Sequence, residues 1–156
     1  RRLLAETAIP RGKVAPGSKN GFRVTPRLVF DSHALLTFFQ GEGGARAVER
    51  WLRLAQRKRW PKYLCAINLG EIIYTTKRRF GDERKVAVLA HIQRLNVVIL
   101  PASDELIFQA AEYKAEYSMS YADCFVLACA VQHDAAIVTG DPDFQKVDHL
   151  AKIHWI

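Results

Sequence analysis

Short runs rich in β-branched, aromatic and leucine residues punctuate this chain: Leu28-Val29-Phe30, Tyr63 to Ile67, Val97 to Leu100 and Ala136 to Val138. Ile153 to Ile156 is a candidate fifth. Stretches with helical spacing separate them. Parallel strands need long crossover connections and are buried on both faces, so this alternation predicts an α/β fold with a parallel sheet between two helical layers. In such sheets ligands bind beyond the carboxyl ends of the strands, near the point where strand order reverses. The first run stops at Asp31 and the fourth at Thr139-Gly140-Asp141.

The intervening stretches read as helices. Ala34 to Phe39 is apolar, and Val48, Trp51, Leu52 and Ala55 recur at i, i+3, i+4, i+7. Leu69 to Phe80 is a helix expected to stop at Gly81, with Asp82 capping another that turns Val86, Leu89, Ile92 and Leu95 inward. Ser103 is placed to cap a helix reaching about Tyr117. Ser120 opens Tyr121 to His133, apolar around most of its circumference and therefore expected at the centre. Residues 1–26 carry Pro10, Pro16, Pro26, Gly12, Gly17 and Gly21 among scattered basics, which predicts a flexible basic arm or linker before one domain over 27–156.

With 156 residues, 49% of them apolar, the chain can bury a core. The longest obvious apolar run, Cys124 to Val131, has eight residues, against the roughly 18 of a membrane span. The basic N-terminus lacks the apolar stretch of a signal peptide. Cys65, Cys124 and Cys129 have no zinc-ligand spacing and read as buried hydrophobes in a reducing cytoplasm.

Charge is unevenly placed. Residues 1–30 hold seven Lys/Arg against one Glu, residues 46–94 thirteen against four, and residues 95–156 three against nine. A basic middle beside an acidic C-terminal third suits a protein that attracts a polyanion on one surface and binds metal on another; solvated helix faces are the plainer explanation. Arg57-Lys58-Arg59-Trp60-Pro61-Lys62 and Lys77-Arg78-Arg79-Phe80 are candidate phosphate tracks with an aromatic for stacking, and both equally suit helix ends, where cations offset the dipole.

Four acids carry the chemistry. Asp31 and Asp141 follow strands, and each alone also reads as a helix cap, Asp141 with proline in the first turn. Asp123 falls in a first turn, where the dipole favours an anion. Glu71 alone could be a surface residue. Jointly they matter, because two strand ends and two helix starts can converge at one sheet edge. Carboxylates gathered there need a cation between them, and Mg²⁺ or Mn²⁺ prefers such oxygen ligands.

Val29-Phe30-Asp31-Ser32, Asn68-Leu69-Gly70-Glu71, Ser120-Tyr121-Ala122-Asp123-Cys124-Phe125 and Val138-Thr139-Gly140-Asp141-Pro142-Asp143-Phe144 together resemble the four acidic motifs of PIN-domain ribonucleases. Their order and spacing are most similar to the VapC-like toxins of toxin–antitoxin pairs. The resemblance covers about residues 27–156. It implies a PIN-like three-layer sandwich with a five-stranded parallel sheet in the order 3-2-1-4-5. It implies metal ligation by Asp31, Glu71, Asp123 and Asp141, with Asp143 assisting and the Ser32 and Thr139 hydroxyls orienting them. It further implies an Mg²⁺- or Mn²⁺-dependent endoribonuclease acting on RNA in the cytoplasm, a homodimer, and an antitoxin protein as partner. Within the same fold, an RNA-processing nuclease with a housekeeping role and a non-catalytic RNA-binding or scaffold protein are the alternatives. Cys124 stands where alanine is common and His33 where a small polar residue is usual, and neither touches the acid set. His33 reads as a proton carrier or as a local hydrogen-bonding residue.

Other phosphate chemistries fit less well. A phosphorelay receiver needs an acceptor aspartate ending the third strand, which here ends Ile99-Leu100-Pro101. A haloacid-dehalogenase-type phosphatase needs an aspartate at the position of His33. No glycine-rich phosphate loop with Lys-Ser/Thr is present, and no Ser/His/Asp or Cys/His nucleophile arrangement is evident.

Overall fold

A computed structural model of the chain describes residues 25–156. The arm expected over residues 1–26 therefore lies, except for its last two residues, outside the described residues. Strands β1 (Leu28–Phe30), β2 (Lys62–Cys65), β3 (Val98–Leu100), β4 (Ala136–Thr139) and β5 (Ile153–Trp155) form one sheet in the order β3-β2-β1-β4-β5. Every pairing is parallel, with Val29 opposite Tyr63 on one side and Ile137 on the other. Helices α1 (Ser32–Gln40), α2 (Ala45–Lys58), α3 (Ala66–Arg94), α4 (Asp104–Glu116) and α5 (Tyr121–His133) make the crossovers.

The period-two alternation of strand side chains splits the interior into two cores. Val29, Cys65 and Ile137 face α5, whose Cys124 to Ala130 are all buried. Leu28, Phe30, Leu64 and Val138 face the opposite layer, meeting Leu35 of α1, Val48 and Leu52 of α2, and Ile72 and Ile92 of α3. The three-layer α/β sandwich and its strand order match the expectation. All three cysteines are free and buried.

Three local expectations need correction. The second run stops at Cys65, not Ile67: Ala66 and Ile67 already belong to α3. An earlier helix start sets Asn68 and Glu71 one turn apart on the same face. At Gly81 the backbone leaves the helical conformation, with φ 82° and ψ −178°, so the first helical half of α3 stops there as expected and a second half begins beyond it; that conformation strains any side chain. In the second half Ile92 is buried as expected, but Val88 is buried in place of Val86, which is 60% exposed. Asp82, expected as a cap, instead pairs with Lys85 and Lys77. Ser103 and Ser120 do cap their helices, accepting from Leu106 N–H and Asp123 N–H.

Among the described residues no helix is long and apolar enough to cross a membrane.

Candidate functional site

The order β3-β2-β1-β4-β5 reverses direction between β1 and β4, which makes the crevice beyond their carboxyl ends the expected ligand position. Asp31 stands there, its backbone N–H bonded to Val138 O at 3.2 Å and its side chain only 1% exposed. Thr139, at the end of β4, donates its hydroxyl to Asp31 Oδ2 at 2.8 Å and accepts the backbone N–H of Asp141 at 3.0 Å. One hydroxyl thus fixes a carboxylate from β1 and the loop after β4 together.

Ser32 spans to the neighbouring element. Its hydroxyl lies 3.2 Å from Asp31 Oδ1 and 2.7 Å from Glu71 Oε2. Asn68, fully buried one turn before Glu71, donates its amide to the same Glu71 oxygen and to Ala122 O, both at 3.3 Å. The first turn of α3 is thereby tied to that of α5, where Asp123 sits 7% exposed. Ser120 donates to Asp123 Oδ2 at 2.6 Å while accepting the Asp123 N–H, so a helix cap also aims the carboxylate. Sequence reading passed over Asn68 and Ser120 as site residues. Their signal was present: each lies three residues before an acid, on the same face of a helix start.

Electrostatics join the four acids. Burial pushes the Asp31 carboxyl up to about 7, helped by the Asp123 and Glu71 carboxylates and opposed by hydrogen bonds from Thr139 and the His33 backbone. Burial also raises Asp123, with Asp141 and Glu71 adding to it against the Ser120 hydrogen bond. Like charges in a low-dielectric crevice produce this pattern. Among the described residues, no three Asp, Glu, His or Cys side chains close into a cage for a metal ion. Each carboxylate is turned instead onto a hydroxyl, an amide or a backbone N–H, as mutually repelling anions will be. The donor set is nonetheless all oxygen, rigidly held and short of positive charge, which fits a hard divalent cation.

The remaining expected residues stand further from this arrangement. Asp143 gives its backbone N–H to Asp141 Oδ1 at 2.9 Å, but its own carboxylate is engaged by Lys146 at 2.7 Å. The exposed His33 ring packs against Gly140, where a Cβ would lie 2.9 Å from His33 Cε1, so only glycine allows this approach. Arg57 and Lys58 end α2, and Arg59 follows in a left-handed conformation. They precede β2, whose neighbour Pro61 accepts the N–H of Leu28 at the start of β1. This basic run therefore lies at the amino ends of the strands, opposite the acids. Lys77, Arg78 and Arg79 precede the kink of α3. Lys77 pairs with Asp82 and Arg79 with Glu42 and Gln40, while Arg78 lies over the Tyr74 ring.

The model of the PIN domain family matches residues 28–150. The chain belongs to the PIN domain family. Solved structures agree on the fold of this PIN domain. VapBC2 from Rickettsia felis, bound to a DNA fragment from its promoter, superposes with a TM-score of 0.68 at 15% identity, covering 81% of this chain and 96% of that one. DNA-bound VapBC from Salmonella typhimurium gives 0.65 at 18% identity, covering 83% and 97%. VapC20 from Mycobacterium tuberculosis, a sarcin-ricin loop cleaving toxin, gives 0.63 at 19% identity, covering 76% and 93%. No curated protein matches the chain. At these identities the likeness is one of architecture, and it shows the fold alone.

Proposed function

We propose that this PIN domain is a divalent-metal-dependent endoribonuclease and the toxin of a toxin–antitoxin pair. The observation that carries the reading is Asp31: a carboxyl sealed from water at the topological switch point, raised to about 7 and crowded by further carboxylates. Such crowding opposes folding unless a cation relieves it, so a role in binding one accounts for its presence. Asp31, Glu71, Asp123 and Asp141 would hold Mg²⁺ or Mn²⁺, with Asp143 available if Lys146 releases it. When bound, the metal would acidify a water and neutralise the charge developing on a phosphodiester.

The chain's own residues prepare that site. Thr139 and Ser32 hold Asp31 in one rotamer, Asn68 and Ser32 hold Glu71, and Ser120 holds Asp123. Contacts of this kind restrict each carboxylate, which would turn from its hydroxyl or amide partner onto the cation and so help to position water for in-line attack on phosphorus. No covalent intermediate is required. RNA as substrate follows from the family resemblance and from the basic middle of the chain. An antitoxin partner is supported by structural neighbours that are VapBC complexes, and a homodimer by the same resemblance. A toxin with such a substrate would act in the cytoplasm.

The test is cleavage of single-stranded and structured RNA by the purified chain, with Mg²⁺ or Mn²⁺ and with chelator, beside Asp123→Asn. Cleavage that needs the metal and disappears in the variant is expected. A variant as active as the parent, or cleavage untouched by chelator, would overturn the reading.

A further inference from the structure

The outward face of α2 carries Arg46, Arg50, Arg53 and Arg57, all exposed. With 3.6 residues per turn they fall within a stripe about 60° wide. Together with Glu49 and Leu54 they line a shallow depression of roughly 660 Å³. Only Arg53 is neutralised, by Glu49 at 2.6 Å, and the other three make no ion pair among the described residues. The opposite face of the helix, with Val48, Leu52 and Ala55, is the one packed into the core.

Helix stability does not explain this pattern. Cations spaced three and four residues apart repel one another. Arg46 occupies the first turn of a helix with no acid there, where a cation opposes the dipole. Only Arg57, in the last turn, has a local reason to be basic.

The stripe also connects the two ends of the sheet. Gly44, at the start of α2, packs against Ile156, 3.5 Å from the position of a Cβ, and Ile156 packs in turn against Gly140 beside Asp141. The Arg46 end therefore lies toward the acids. The Arg57 end, about 17 Å away by helix rise, joins Lys58 and Arg59 at the amino edge.

We propose that this arginine stripe is the track for the phosphodiester backbone of a single-stranded RNA whose scissile bond lies at the acids. The proposal rests on the nuclease reading and extends it. The crowded acids offer a polyanion no hold beyond the metal they would bind, so cations just outside the crevice would hold the rest of the strand. Guanidiniums suit phosphate because they bind it through paired N–H groups. A protein partner would want an apolar centre to the depression, and among the described residues Leu54 is the only aliphatic one lining it.

The test measures binding of a fluorescent single-stranded RNA to the full chain in chelator, where cleavage is silent, across a salt series. In the R46Q/R50Q/R57Q variant, affinity should fall at least about tenfold. The slope of log affinity against log salt should shrink by about 2, since each lost phosphate contact removes about 0.7. R46K/R50K/R57K, which keeps the charge, should retain the slope. An unchanged slope and affinity in the glutamine variant overturn the track while leaving the nuclease reading intact. Loss of binding to an acidic antitoxin peptide, with RNA affinity unchanged, overturns it in favour of a protein partner. Parent protein that binds no RNA in chelator at any salt overturns the track, and the metal-dependent cleavage assay decides the nuclease reading separately.

Discussion

Asp31 and Lys62 sit at opposite ends of the same sheet, and both are nearly sealed from water, at 1% and 5% exposure. Burial pushes the Asp31 carboxyl up and the Lys62 ammonium down, the same desolvation acting on charges of opposite sign. Their surroundings then diverge. Among the described residues Lys62 has no ionic partner, its Nζ donating to the neutral Gln56 Oε1 at 2.8 Å while its stem fills space at the start of β2. Asp31 is held by hydroxyl groups and further raised by Asp123 and Glu71. One end of the sheet tolerates a single charge; the other accumulates charges of one sign. Only the second arrangement calls for an external cation.

The largest effect should come from discharging the acid end. Asp31→Asn and Asp123→Asn should each reduce RNA cleavage on the order of 10³-fold or more, since each removes a fixed charge from the reacting site. In chelator their melting temperatures should equal or exceed the parent's, because a buried repulsion is gone. A large loss of stability in both variants would mean that these carboxylates are structural and would erase the contrast with Lys62.

A pH titration of the metal-free protein sharpens the same contrast. Burial holds the folded Asp31 carboxyl up to about 7, against 3.8 for an ordinary aspartate. Between those values the folded state binds more protons than the unfolded state, so stability falls as pH rises through the window. The stabilisation is fully present below the unfolded value and is lost once the pH passes the folded one. At full shift the loss is about 4 kcal/mol. Denaturant unfolding of the parent minus Asp31→Asn, in chelator, should isolate this slope. Millimolar Mg²⁺ or Mn²⁺ should then raise the melting temperature above pH 7 by binding the deprotonated, folded site. A flat difference curve would show that Asp31 is already ionised and solvated.

These contrasts were legible in the sequence to different degrees. Asp31 and Asp141 could be placed because β-type runs end at them, and strand ends in a parallel sheet share one edge by topology. Helix α5 could be read to the residue because Ser120 caps it and its apolar circumference leaves no other position. The partners that hold the acids were harder to see. Asn68 and Ser120 are polar residues three before an acid, a spacing that an apolar periodicity passes over, and the Asn68 bond to Ala122 O crosses elements. Beyond Gly81, Ile92 and Leu95 were placed inward and do pack in the core, but Val88 is buried where Val86 was expected, a choice between neighbouring valines that periodicity left open. Basic runs were read as contiguous blocks, Arg57 to Arg59 and Lys77 to Arg79. The stripe of Arg46, Arg50, Arg53 and Arg57 is contiguous only on the helix surface.

A smaller effect tests how the acid end is held. Ser120 both caps α5 and donates to Asp123. Ser120→Ala should cost about 1 kcal/mol of stability as a lost cap. It should also slow cleavage about 10- to 100-fold through a misaimed carboxylate. Ser120→Thr, which keeps the hydroxyl, should restore both. If alanine lowers stability but leaves cleavage untouched, Ser120 is a cap alone.

The smallest effect belongs to the other end. Lys62→Met keeps the apolar stem and removes an ammonium that burial disfavours, so unfolding stability at pH 7 should be unchanged or raised by less than about 1 kcal/mol. The sign follows from its lowered value. The folded protein releases the Lys62 proton before the unfolded chain does, so the parent's stability should climb with rising pH as that proton leaves, and the variant should lose the climb. Cleavage should not change, because the carboxyl edge lies a full strand length away. A destabilisation well above 1 kcal/mol would instead mark the Lys62–Gln56 contact as a structural clamp between β2 and α2. The two ends of the sheet would then differ in the sign of their charge but not in how necessary it is.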